Sequence, residues 1–185
     1  MISASYYLAN WKPLTEIVRK GGGPEAIWSV LGNEEYLVEI KVSDWHGLYS
    51  VGQVAAEIYQ GILPFIDDED EADVLDELFS AFGVIGGGSD DLSRIDDYEP
   101  KPLPPSHIGV ATFSICPMTV AFLENTCFDF DASSLLAPYD KYLESGGEID
   151  ERISTFEEFI EFIEGLISMV RRAQRWSAGI VIWAG

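Results

Sequence analysis

The stretch TFEEFIEFIEGLISMVRRAQRWSAGIVIWA, Thr155 to Ala184, decides the fold. Phe156, Phe159, Ile160, Ile163, Leu166, Ile167 and Val170 recur at the three- and four-residue spacing of a helix with one buried face. Ser154 or Thr155 supplies an N-cap, with Glu157 or Glu158 three residues further on to complete a capping box. Acids open the helix and Arg171, Arg172 and Arg175 close it, which matches the helix dipole at both ends. Ser177 and Gly179 break it, and Ile180 to Ala184 then runs apolar on both alternating faces, as a strand covered on both sides does. A long helix feeding a central strand predicts an α+β domain, with helices packed on a small mixed sheet.

Working back from that segment, Leu135, Leu136, Tyr139 and Leu143 mark a helix that ends at Gly146-Gly147, and Pro117 opens another carrying Val120, Ala121 and Leu123. Ile108 to Ile115 suits an extended segment. Val74, Leu75, Leu78, Phe79 and Phe82 line an amphipathic helix whose first turns are crowded with carboxylates. Trp45, Leu48, Gly52, Ala55, Tyr59 and Ile62 share one helical face up to Pro64, with Ser43 or Asp44 as cap and His46, Ser50, Gln53, Glu57 and Gln60 on the polar side. Ile2 to Ala9 reads as a short strand, Tyr36 to Val42 as a strand or equally as the lead into the next helix, and Pro13 to Lys20 and the segment after Pro24 as helices. No composition break divides the chain, so residues 1–185 read as one domain.

Charge bounds the partners. The chain holds 32 acidic against 11 basic residues, for a formal net charge of -21. No lysine or arginine occurs between Lys41 and Arg94, while Asp67, Asp68, Glu69, Asp70, Glu71, Asp73, Asp76 and Glu77 crowd one stretch. A field that is negative almost everywhere argues against nucleic acid and anionic membrane and leaves a cation, a basic protein surface or a neutral small molecule as partner. A hydrophobic share of 47% excludes a disordered acidic chain. The N-terminus lacks a basic start and a sustained apolar segment, so the expected compartment is the cytoplasm. Cys116 and Cys127 show no metal-ligand spacing and read as buried free thiols, with a disulfide as the lesser alternative.

Trp45-His46-Gly47-Leu48-Tyr49, then Val84-Ile85-Gly86-Gly87, then a proline-rich loop leading to Pro117 and Val120, come in a recognisable order. With Phe130-Asp131, Tyr139-Asp140 and the final helix and strand, the whole resembles the bacterial YfbM-like family of unknown function. That resemblance implies a small cytoplasmic α+β protein and supplies no catalytic residues. The acidic Asp67 to Glu77 insertion and the absence of a leucine-rich continuation after Tyr49 depart from the family's pattern.

Three constellations invite chemistry. His46 and Ser50 stand one helical turn apart in the expected helix, and with Trp45 and Tyr49 they form the candidate small-molecule pocket of a binding protein or hydrolase-like enzyme. No oxyanion hole accompanies them, and an anchoring Trp45 beside an ordinary histidine is the plainer reading. The acidic run offers oxygen ligands but lacks the alternation and the glycine of a calcium loop, so no metal and no cofactor is expected. Gly86-Gly87-Gly88-Ser89 is followed by Asp90 and Asp91, which repel phosphate, and reads as a turn. The leading expectation is a non-catalytic interaction module of immunity or inhibitor type, docking Asp67, Asp68, Asp70, Glu71 and Asp73 on a basic partner.

Overall fold

The computed structural model describes residues 4–20, 37–39, 44–45, 48–85 and 111–184. Strand β1 (Ala4–Ala9) leads into helix α1 (Trp11–Arg19), followed by the short strands β2 (Leu37–Glu39) and β3 (Asp44–Trp45). Helix α2 (Leu48–Ile62) runs through a 3-10 turn at Leu63–Phe65 to α3 (Glu69–Ala81). After β4 (Ala111–Ile115) come α4 (Pro117–Thr126), a 3-10 turn at Ala132–Leu135, α5 (Leu136–Glu144), α6 (Phe156–Arg175) and β5 (Gly179–Ala184). The architecture is α+β and mostly helical.

The sheet runs β2-β1-β5-β4, with β3 also on β1. Where a mixed sheet was expected, every described pairing is antiparallel. The reason lies in the helices: α4 leaves the sheet where β4 ends, and α6 returns the chain to that same end, so that Ile115 pairs with Ile180 and Ala111 with Ala184. β1 lies along the other side of β5, from Ala4 opposite Ala184 to Ala9 opposite Gly179. Trp11 packs over the start of β5, where a Cβ on Gly179 would stand 2.6 Å from the indole Cζ3 and 3.0 Å from the Ile115 carbonyl oxygen. The Trp11 indole N–H is buried without an acceptor among the described residues, which costs about 1–3 kcal/mol.

The capping box of α6 forms at Thr155 and Glu158. Thr155 Oγ1 accepts from the Glu158 amide at 3.1 Å, and Glu158 Oε2 accepts from the Thr155 amide at 3.2 Å and from the Ser154 amide at 2.6 Å. The buried stripe of α6 is wider than its periodicity suggested, because Phe162, Met169 and Ala173 are covered as well. One side of α6 packs on α4. Aromatic edges knit α2, α3 and α6 together, with Phe79 edge-on to Tyr59 at 5.3 Å and to Phe162 at 6.0 Å between ring centroids.

Three helices end in the same way. In α3, α5 and α6 the second residue past the cap donates its N–H back five residues: Val84 to the Phe79 carbonyl, Gly147 to Tyr142 and Ala178 to Ala173. That closure needs a left-handed residue just past the cap. Gly83 (φ 66°) and Gly146 (φ 94°) supply it for α3 and α5, and Ser177 (φ 50°) supplies it for α6.

Candidate functional site

The acidic run becomes the start of α3. Asp68 caps it, its Oδ1 accepting from the Asp70 amide at 2.9 Å, and Glu69, Asp70 and Glu71 fill the first turn, where the unpaired N–H groups favour negative charge. Leu75, Leu78 and Phe79 anchor the opposite face in the core. Asp67, Asp68, Glu69, Asp70 and Asp73 are exposed and Glu71 is half-buried. None of these carboxylates has an ion-pair partner among the described residues. The five acids singled out from the sequence, Asp67, Asp68, Asp70, Glu71 and Asp73, therefore come together on one helix start.

A buried phenol pins that helix to α2. Tyr59 is 1% exposed and donates to Asp76 Oδ1 at 2.5 Å. Burial pushes the Tyr59 hydroxyl well above the ordinary phenol range, and the hydrogen bond to Asp76 and the charges of Asp76 and Asp73 push the same way. The same hydroxyl lies 3.4 Å from the Ala72 carbonyl oxygen, so the first half of α3 is tied to the core through Tyr59.

Of the second constellation, the structure places only the backbone of Trp45, Tyr49 and Ser50. Asp44 and Trp45 form β3, pairing with Ser5 and Ala4, so Trp45 belongs to the sheet edge and α2 begins only at Leu48. The helical turn expected to join His46 to Ser50 runs through residues 46–47, which lie outside the described residues. Tyr49 and Ser50 fall in the first turn of α2, and His46 lies outside the described residues, as do His107 and Gly86 to Gly88. Further along α2 the expected sides hold, with Gly52, Ala55, Tyr59 and Ile62 buried and Gln53, Glu57 and Gln60 exposed.

A cleft that was not legible in the sequence opens between α2, α5 and the turn after α5. Val54, Glu57 and Ile58 meet Tyr142, Glu148, Ile149 and Asp150 around about 110 Å³. The Tyr142 ring is wedged between two glycines, since a Cβ would stand 2.5 Å from its Cδ2 at Gly61 and 2.6 Å at Gly147. Its hydroxyl donates to the Glu148 carbonyl at 3.1 Å. Arg152 donates from Nε and Nη2 to Asp150, each at 2.7 Å, and that fork holds the Asp150 carboxyl down at about 2. The space is smaller than the few hundred Å³ of an ordinary small-molecule site, and its best acceptor is already engaged.

Among the described residues no group of three or more His, Cys, Asp or Glu side chains is arranged to hold a metal ion. No described helix is long and apolar enough to cross a membrane. Cys116 and Cys127 are free and buried, and burial raises the Cys127 thiol to about 11 against a partial opposing pull from Arg171. Comparison with protein-family models, with curated proteins and with solved structures finds no match to this chain.

Proposed function

We propose that this chain is a non-catalytic protein-interaction module, of immunity or inhibitor type and acting in the cytoplasm, that docks the start of α3 on a basic partner protein. The observation that carries the reading is the anchored row of exposed carboxylates Asp67, Asp68, Asp70 and Asp73, which have no cation of their own among the described residues. A rigid helix start loses little freedom on binding, and a patch of one sign steers an oppositely charged surface into register. Membership of the YfbM-like family is part of the same proposal, resting on the sequence resemblance alone, and adds no reaction. The test is affinity capture of the basic partner, followed by stopped-flow association with the wild type and with the D70K/E71K/D73K variant across a salt series. Slower association and a flatter salt dependence in the variant support the reading. Unchanged association, or capture that yields no stoichiometric basic protein, overturns it.

A further inference from the structure

The helix beside α3 exposes apolar side chains that a solvated surface does not need. Met118 is 75% exposed and Phe122 52% exposed, one helical turn apart on the same face of α4, and Phe128, just past its end, is 67% exposed. Three large apolar residues exposed within residues 118–128 are more than the scattered exposure ordinary on a protein surface. Val120 and Leu123 already anchor the other side of α4 in the core, so the helix has no structural use for Met118 and Phe122.

Charge decides what can cover this face. Residues 116–131 contain Glu124, Asp129 and Asp131 and no lysine or arginine, and the acidic helix α3 packs directly against α4. The flank towards α6 is the exception, because Arg171 stands near enough to act on the Cys127 thiol. A second copy of the chain would bring another net charge of -21 against the first, and an anionic lipid surface would meet the same repulsion. What fits is a segment apolar on one side and basic on the other, its apolar side on Met118, Phe122 and Phe128 and its cations towards Asp129, Asp131 and α3. A helix laid on a helix face reads such i, i+4 anchors, and the flexible thioether of methionine adapts to whatever packs on it.

We infer that the exposed face of α4 is a docking surface for a basic amphipathic helical segment of a partner protein. The inference rests on the reading of the chain as a binder of basic protein, and it adds where the apolar half of the partner sits.

The chain has three methionines, one of which, Met169, is buried, so methyl-labelled methionine gives a simple NMR readout. The Met118→Leu variant assigns the Met118 signal. The probe is a lysine–leucine amphipathic helical peptide, with a scrambled peptide of equal charge and a glutamate–leucine peptide as controls. The expected result is a shift of the Met118 methyl with the amphipathic cationic peptide alone, and binding about tenfold weaker in M118S/F122S while that variant keeps the wild-type circular dichroism. Persistence of the Met118 shift in D70K/E71K/D73K would keep this surface and remove α3 from the interface. Binding lost in that triple variant with Met118 unmoved in the wild type would keep α3 and overturn this surface. Equal binding of the scrambled peptide, or a dimer that buries Met118 in sedimentation and NMR, also overturns it.

Discussion

The phenol of Tyr59 and the carboxylate of Asp76, 2.5 Å apart, tie the last turn of α2 to the acidic helix α3. Removing the hydroxyl in Tyr59→Phe keeps the ring against Phe79 and deletes a hydrogen bond to a charged group. Urea unfolding should show a loss of about 1.5–3 kcal/mol. The phenol's folded pKa lies above its ordinary value of 10.0, so its contribution is whole below that pH and is lost as pH rises beyond it. The wild type should therefore lose stability in alkali more steeply than Tyr59→Phe, and parallel curves for the two would refute the assignment.

Two glycines of the same helix should respond in opposite directions. At Gly52 an added Cβ meets Phe162 and Val84 at an ordinary 3.9 Å, so Gly52→Ala gains helix propensity of about 0.5–1 kcal/mol. At Gly61 the Cβ runs into the Tyr142 ring, which Gly147 prevents from moving away, and Gly61→Ala should cost about 1–3 kcal/mol. Thermal melts of the two variants give the signs directly.

Ser177 holds at φ 50° a position that glycine fills at the ends of α3 and α5. Its side chain is exposed and makes no hydrogen bond among the described residues. Ser177→Gly should raise stability by about 1 kcal/mol, and Ser177→Val should lower it by more than that. A neutral Ser177→Gly in chemical denaturation would mean that the left-handed turn carries no strain.

With its thiol raised to about 11 by burial, Cys127 stays protonated and covered at neutral pH. A maleimide reagent at pH 8 should label it only at the rate of unfolding, so that adding urea accelerates labelling. Rapid labelling of Cys127 in the native protein, read by peptide mass spectrometry, would contradict its burial.

Local patterns carried most of the fold. α6 was legible because its apolar spacing, its cap and its terminal charges agree, and α3 because a contiguous acidic start precedes a clear stripe. Phe162 and Met169 were missed because a helix packed on more than one side buries more than one stripe, and a single sequence does not show its neighbours. Trp45 was misplaced because its spacing to Leu48 and Gly52 continues the pattern of α2. The ladder offered by β1 outweighs that propensity, and a two-residue strand has no period to detect. The acids at the start of α3 are close together in sequence and so were read directly, whereas Glu57, Tyr142 and Asp150 are far apart in the chain and meet only through packing.

The position of β5 between β1 and β4 also sets an order of events during synthesis. Of the described elements it is the last to leave the ribosome, yet both neighbouring strands depend on it for their ladders. Until then β1 has waited through the synthesis of every described element between them with one edge unpaired, and β4 has had no neighbour at all among the described strands. The helices can collapse early, but the sheet closes in a single late step across a very long loop, the kind of pairing that slows folding and calls for protection of nascent strands.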